Sequence, residues 1–224
     1  MLDIQEISLN ICILTIFYTL ISYYPKLEKY DTEIKFSMYR SLMCVAFGSM
    51  GINVLINHII NGFSHPYAFK HNDMMEILQL FAAYLIVDLI QMVATKSTRI
   101  DLYAHHVLCL VGLVISHSTN RFGYLQSILL IAELLSVVSG IDSIALKEND
   151  MKLSYYCKKI RKNIIKYIRY PLWIVLLIVT IRYTNKTPTL LWYKGLIFAF
   201  TMIYLDKSWE EKCDKVIDKY ENPL

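Results

Sequence analysis

The chain has 224 residues and a net charge of +4, and its mass of 26.2 kDa suits a single domain. Hydrophobic residues make up 55% of it and charged residues 19%, against about 45–50% and about 25% in soluble domains. This composition excludes a disordered chain, a collagen and a nucleic-acid-binding module, and it indicates a protein with several membrane spans.

Seven apolar segments have the length of about 17–25 residues that a membrane-spanning helix requires. Proline residues lie just outside three of them, at Pro25, Pro66 and Pro188, where a helix breaker belongs. We therefore predict an all-α polytopic membrane protein with about seven transmembrane helices. The predicted spans are 7–24, 38–60, 77–95, 102–118, 123–146, 168–184 and 189–206.

Most basic residues lie on one side of these spans. Lys and Arg total 23, and 18 of them fall in the connections, the span ends and the tail that share the side of the C-terminus. Because cytoplasmic loops carry an excess of Lys and Arg, we expect a lumenal N-terminus and a cytosolic C-terminus. An odd number of spans likewise puts the two termini on opposite sides of the membrane.

The cysteine and histidine patterns argue against a metal centre. The five cysteines form no Cys-x-x-Cys pair and three of them lie in apolar runs, so we expect packing residues rather than a zinc site. The six histidines include one adjacent pair and no HxxH or HxxxH box, which excludes a di-iron centre. We predict no bound metal or cofactor.

Asp88 and Glu133 lie well inside predicted spans, where an ionisable side chain is costly. Asp88 lies about two turns from the cytosolic end of the third span, and Glu133 lies in the middle of the fifth. Both should face the interior of the bundle and have a partner there. A purely structural role in the contacts between helices is the alternative to a functional one.

His105 and His106 lie at the cytosolic start of the fourth span. Neighbouring helix positions point about 100° apart, so the two rings should face different surroundings. Asp101 precedes His105 by four residues and could orient its ring, while Asp88 and His106 fall within about 5 Å of the same height. An imidazole beside a carboxylate suits a general base or a nucleophile in acyl transfer. The alternative is a pair of interfacial histidines that reach water.

Other polar residues in or beside the spans also have two interpretations. Asn53 and Asn57 share one face of the second span and suit contacts between helices as well as a ligand. Arg182 lies near the lumenal boundary, where a long side chain can reach water. The basic stretch 158–166 either binds anionic headgroups or a CoA phosphate, or anchors the chain at the membrane surface.

An ordered set of residues resembles the TLC domain of translocating-chain-associated membrane proteins, ceramide synthases and a neuronal ceroid lipofuscinosis protein. The resemblance extends over roughly residues 36–206 and is stronger to the small TLC-domain-containing proteins than to ceramide synthases. The residues that carry it are Arg40, Tyr84, Asp88, Asp101, His105, His106, Asn120, Arg121, Phe122, Gly123, Glu133 and Arg182.

The resemblance implies an N-terminal helix and cytosolic loop at 1–35, a TLC domain at 36–206 and a charged cytosolic tail at 207–224. It implies six helices around a lipid-accessible cavity, in the endoplasmic reticulum or a related endomembrane. In ceramide synthases the His pair is catalytic, which would assign catalysis to His105 and His106, with Asp88 tuning them. The residues that we expect to line the cavity and bind substrate are Tyr84, Asp101, Glu133, Asn53, Asn57 and Arg182.

One segment departs from ceramide synthases, which carry an aspartate-rich second half where this chain has the apolar stretch 130–136 around Glu133. We therefore expect either a His-dependent acyltransferase or a non-catalytic protein of lipid sensing, lipid trafficking or cargo binding. The acyltransferase would use acyl-CoA as co-substrate and a membrane lipid as acceptor. Membrane lipids and acyl-CoA are thus the expected partners, nucleic acid is not, and a homo-oligomer is compatible with the sequence.

Overall fold

The computed structural model of the chain describes residues 3–60, 72–119 and 125–222. Of these described residues, 89% are helical and none lies in a strand, which confirms an all-α fold. Their α-helices, in chain order, are α1 (Ile4–Ser22), α2 (Thr32–Ile60), α3 (Asn72–Ala94), α4 (Ile100–Ser118), α5 (Leu125–Ala132), α6 (Ser139–Lys147), α7 (Met151–Ile164), α8 (Tyr170–Arg182) and α9 (Thr189–Glu221).

Within the described residues, six helical segments are long and apolar enough to cross a membrane, which fits a multi-pass membrane protein. They correspond to the first six predicted spans. The predicted seventh span, 189–206, lies in α9, whose apolar stretch includes Lys194 and Asp206 and which is not among the six, so its place in the membrane stays a prediction. The six segments are Ile4–Ser22, Thr32–Ile60, Met74–Ala94, Ile100–Ser118, Gln126–Lys147 and Met151–Arg182.

The fifth predicted span is broken rather than continuous. After α5 the chain forms a 3-10 turn at Glu133–Ser136 before α6 begins. The long connection predicted at 147–167 is largely helical as well, because α7 continues through a π turn at Ile165–Arg169 into α8. The break places the buried Glu133 at an irregular part of the backbone, where main-chain groups need partners from elsewhere.

Helix α1 lies on the outside of the bundle. It contacts α2 and α3, and Leu14 is the buried residue within it. Leu9, Ile13 and Leu20 are each more than half exposed, as suits contact with lipid. The other helices follow one another around the interior: α2 contacts α3, α3 contacts α4, α4 contacts α9, α9 contacts α8 and α7, and α5 and α6 return to α2.

Glycine residues on α2 allow its backbone to pack closely against α5 and the turn that follows it. A Cβ atom at Gly51 would lie 2.8 Å from Leu130 Cβ and 2.9 Å from the Ser127 carbonyl oxygen, and one at Gly48 would overlap the Leu134 side chain. Small residues let helix backbones approach each other in membrane proteins. This contact fixes α5 against α2 just before the break in the fifth span.

An exposed ion pair joins the α1–α2 connection to the turn between α6 and α7. Glu148 Oε1 accepts hydrogen bonds from Lys29 Nζ at 2.5 Å and from the Tyr30 hydroxyl at 2.9 Å. The hydrogen bond from Lys29 lowers the pKa of the Glu148 carboxyl. Because both side chains are solvent-exposed, water and salt screen the pair and its contribution to stability is small.

Candidate functional site

Asp88, on α3, is fully buried and connects three helices. Its Oδ1 atom accepts hydrogen bonds from Arg40 Nε at 3.1 Å and Nη2 at 2.8 Å, on α2. Its Oδ2 atom lies 2.6 Å from His106 Nε2, on α4. A buried carboxylate needs such partners to offset the loss of water. The prediction that Asp88 and His106 lie at the same height is confirmed.

Both ring nitrogens of His106 are engaged. Nδ1 lies 2.8 Å from the Leu102 carbonyl oxygen, which can only accept, so Nδ1 carries a proton. Nε2 lies 2.6 Å from Asp88 Oδ2, a close ion-pair contact without the angle of a hydrogen bond, since Oδ2 has no hydrogen-bond partner among the described residues. His106 is therefore held between its own helix and Asp88, with neither nitrogen left for a substrate.

Glu133 is buried beside the other histidine of the pair. His105 Nε2 lies 3.2 Å from Glu133 Oε1, and the Cys44 thiol donates to Oε2 at 3.8 Å. His105 Nδ1 lies 3.4 Å from Met202 Sδ, which is a weak acceptor. The expectation that a partner from another helix offsets the burial of Glu133 is confirmed, and that partner is His105.

A second buried ion pair positions the segment that carries Glu133. Helix ends leave carbonyl groups without a helical partner, and at the end of α5 the Ala132 carbonyl oxygen accepts a hydrogen bond from Arg169 Nη1. Arg169 Nε donates to Asp206 Oδ1 at 2.8 Å, and Trp173 Nε1 donates to Asp206 Oδ2 at 2.7 Å. The π turn and α9 thus hold the backbone next to Glu133.

His105 and Glu133 lie in the wall of a cavity of about 250 Å³. Its wall is formed by residues from α2, α3 and the connection after it, α4, the break after α5, α6, α7, the π turn and α9. Basic side chains outnumber acidic ones in this wall. The basic ones are Arg40, Arg99, Lys158, Arg161 and Arg169, and the acidic ones are Glu33, Glu133 and Asp142.

Asp88 and His106 do not line this cavity. Arg40 contacts Asp88 and also forms part of the wall, so the pair is adjacent to the cavity through Arg40. We expected Asp88, Glu133 and either His105 or His106 to face one interior space. His105 and Glu133 do so, while Asp88 lies against His106 outside the cavity wall.

Asp101 does not orient the His105 ring as predicted. Its carboxylate accepts hydrogen bonds from Arg99 Nε at 3.0 Å, Trp209 Nε1 at 2.7 Å and Lys212 Nζ at 2.9 Å. These donors outcompete an imidazole because two of them carry full charges. Asp101 acts on the site indirectly, since the Trp209 ring packs edge-on against the His105 ring with centroids 5.9 Å apart.

The remaining predicted cavity residues do not line the cavity either. Tyr84 is buried, and its hydroxyl lies 3.7 Å from Cys44 Sγ, whose thiol also contacts Glu133. Asn53 and Asn57 are exposed on α2, and Arg182 is exposed at the end of α8. The i,i+4 spacing of the two asparagines puts them on one face of α2, but that face points out of the bundle.

Three buried side chains offer donor atoms for a metal ion. The ligand atoms of His105, Cys109 and Glu133 all lie within 4.8 Å of one another, and Cys109 Sγ is 3.8 Å from His105 Nδ1. From the sequence, Cys109 is expected to be a small apolar packing residue. The signal that would have identified it is its position four residues after His105, which places both on one face of α4.

Arg169 and Asp206 were also missed. Asp206 lies at the end of an apolar stretch in α9, and a carboxylate there requires a cation from another helix. Arg169 is the last residue of the π turn, just before α8, and the sequence places it only among the basic residues of one side of the membrane. Spacing alone could not identify these two as partners, because 37 residues separate them.

No family model, no curated protein and no solved structure matches this chain. The resemblance to the TLC domain therefore stays a prediction, and its Asn120, Arg121, Phe122 and Gly123 lie outside the described residues.

Proposed function

We propose that the chain is a membrane lipid acyltransferase that takes its acyl group from acyl-CoA. The observation that carries the proposal is the contact between His105 and Glu133 in the wall of a predominantly basic cavity. An imidazole beside a carboxylate can serve as a general base, and basic side chains suit the phosphates of CoA. The resemblance to TLC proteins supports the same class of reaction.

In the proposed reaction, Glu133 accepts a hydrogen bond from His105 Nε2 and leaves the lone pair on Nδ1. Nδ1 removes the proton from a hydroxyl or amine of the lipid acceptor. The acceptor oxygen or nitrogen then bonds to the thioester carbonyl carbon, the carbon–sulfur bond breaks, and the departing CoA thiolate takes the proton from His105. Met202 Sδ, which contacts Nδ1, is too weak an acceptor to hold the ring proton on Nδ1 in place of Glu133, which accepts it from Nε2.

The proposal places the cavity at the cytosolic end of the bundle, in the endoplasmic reticulum or a related endomembrane. Arg40, Arg99 and Lys158 in the cavity wall belong to the 18 basic residues that predict the cytosolic side. A cytosolic thioester donor would then reach the cavity without crossing the membrane. Digestion of a C-terminal tag in sealed microsomes supports this orientation, and protection of the tag contradicts it.

The test is acyl transfer from labelled acyl-CoA to mixed membrane lipids by the purified protein in detergent. Removal of a general base typically costs about 10²–10⁴-fold in rate, so we expect His105→Ala to lose transfer by that factor. Glu133→Gln should lose part of it, because an amide can still contact the ring but cannot balance its charge. Val107→Ala is the control, since Val107 lies on the same helix and is 51% exposed.

Two outcomes contradict the proposal. One is a folded His105→Ala protein that transfers acyl groups within about tenfold of the wild type, because a lost general base costs more than that. The other is a wild-type protein that transfers no acyl group to any lipid while it binds lipid in the cavity.

Non-catalytic lipid binding is the second candidate function. It is favoured by the low exposure of the His105 side chain, which is 6%, and by the engagement of both nitrogens of His106. A binding protein needs the cavity but not a free imidazole nitrogen. In that case His105→Ala alters neither the lipid bound to the purified protein nor its effect on cellular lipids.

A further inference from the structure

Arg161 differs from the other basic side chains of the cavity wall. Each of the others has an acidic partner among the described residues: Arg40 with Asp88, Arg99 with Asp101, Lys158 with Asp142 and Arg169 with Asp206. Arg161 forms no ion pair with any residue that the structure describes. Its Nε atom is buried and has no hydrogen-bond partner there.

An arginine in this position has an energetic cost. The guanidinium stays charged under all physiological conditions, so it cannot escape the cost of burial by losing its proton. The Arg161 side chain is only partly exposed, and an unsatisfied buried donor such as its Nε requires an explanation. An anion that enters the cavity would supply the acceptor that Nε lacks and a further counter-charge.

The space around Arg161 suits such an anion. The cavity of about 250 Å³ adjoins a second cavity of about 290 Å³, and both are lined by Arg99, Lys158, Arg161 and Trp209. Lys212 adds a further positive charge to the second cavity. Arginine binds phosphate oxygens through two parallel hydrogen bonds, and several converging cations favour a phosphate over a singly charged group.

We propose that Arg161, together with Arg99 and Lys158, binds a phosphate group of the ligand of this cavity. This inference rests on the proposed function and specifies its substrate as a phosphate-bearing molecule. Trp209 lines both cavities and packs against the His105 ring, so the phosphate would lie one side chain away from the proposed base. The phosphate belongs either to a soluble donor of the CoA type or to a phospholipid headgroup.

The experiment measures binding without turnover. The full chain is reconstituted in phosphatidylcholine nanodiscs, and its melting temperature is followed against adenosine 3′,5′-bisphosphate in one arm and against added phosphatidic acid in the other. We expect one of these probes to stabilise the wild type, and Arg161→Gln to weaken its binding about 10- to 100-fold, as the loss of charged hydrogen bonds implies. Lys152→Gln is the control, because Lys152 is exposed on the same helix and lines neither cavity.

Stabilisation by the bisphosphate identifies a soluble phosphate source, and stabilisation by phosphatidic acid identifies a lipid headgroup. The inference is overturned if neither probe stabilises the wild type, or if Arg161→Gln binds the probe as tightly as the wild type does. If Arg161→Gln does not fold, Arg99→Gln is measured instead, because Arg99 lies at the more exposed edge of the site. We expect this variant to weaken probe binding by a smaller factor. Unchanged probe binding by Arg99→Gln also overturns the inference. His105→Ala should bind the probe normally, so a failed acyltransferase test and a failed phosphate test remain distinguishable.

Discussion

Asp88 Oδ2 lies 2.6 Å from His106 Nε2, and this contact joins α3 to α4 inside the bundle. The same carboxylate accepts two hydrogen bonds from Arg40 on α2, so one fully buried anion connects three helices. Its charge is already shared between two basic side chains. We therefore expect Asp88 and His106 to act in stability, and His105 with Glu133 to act on a substrate.

Asp88→Asn should destabilise the protein strongly. Asparagine keeps the shape of the side chain but leaves Arg40 without a counter-charge, and breaking a buried ion pair costs about 3–5 kcal/mol. The free energy of unfolding in detergent measures this loss. Glu148→Gln is the matched control, because it breaks an exposed pair and should cause no measurable change. An Asp88→Asn protein as stable as the wild type would show that Asp88 is not an anion in the folded state.

Arg169 and Asp206 should be strongly coupled in a double-mutant cycle. Arg169→Met and Asp206→Leu each leave a buried charge unpaired, which costs about 3–5 kcal/mol. The double variant removes both charges, so its loss should be smaller than the sum of the two single losses. A remaining loss of about 1–3 kcal/mol for each unpaired group is expected at the Ala132 carbonyl and at Trp173 Nε1. Additive losses would contradict the coupling.

The buried carboxylates whose burial the sequence predicts to be energetically costly each have a basic partner in the structure. Asp88 and Glu133 could be identified from the sequence alone, because a carboxylate in an apolar run requires a partner in any fold. The apolar segments are equally visible, since their length and composition are local properties. These two features account for the part of the fold and of the site that was predicted correctly.

The identity of the partners could not be predicted in the same way. Spacing along α4 allowed Asp101 to reach His105, but the rotation of α9 brings Trp209 and Lys212 to that carboxylate instead. Likewise, the break after α5 depends on a hydrogen bond from Arg169, which comes from a distant part of the chain. Which side chains meet depends on the relative rotation of helices, and apolar periodicity determines that rotation only loosely.

Gly51→Ala should be harmful and Gly112→Ala tolerated. A methyl group at Gly51 would lie 2.8 Å from Leu130 Cβ, and overpacking of this kind costs about 1–3 kcal/mol. At Gly112 the nearest atom is Lys194 Cε at 3.3 Å, which belongs to a flexible side chain, and alanine gains up to about 1 kcal/mol in helix propensity. Thermal unfolding of both variants in detergent tests this difference. Equal effects would contradict the close contact between α2 and α5.

The proposed role of His105 as a base also predicts that the protein holds no metal there. The donor atoms of His105, Cys109 and Glu133 are close enough for an ion, and a bound ion would occupy the imidazole. We expect the purified protein to contain no stoichiometric zinc by mass spectrometry and to keep its activity after treatment with a chelator. A thiolate–cobalt absorption band on addition of Co²⁺, lost in Cys109→Ser and shifted in His105→Gln, would make both residues ligands and exclude His105 as the base.

His105→Gln and His106→Gln should have opposite effects. Glutamine at position 106 cannot replace both ring nitrogens at their observed positions. Asp88 or the Leu102 carbonyl therefore loses a contact, and the free energy of unfolding falls by about 1–3 kcal/mol. The rate of acyl transfer per folded molecule should remain that of the wild type.

Glutamine at position 105 can still donate to Glu133 but cannot accept a proton. Stability should therefore change little, while the rate of transfer falls about 10²–10⁴-fold. Unfolding and transfer are measured on the same preparations. Loss of transfer in a stable His106→Gln protein would make His106 the base and would contradict the assignment of catalysis to His105 and Glu133.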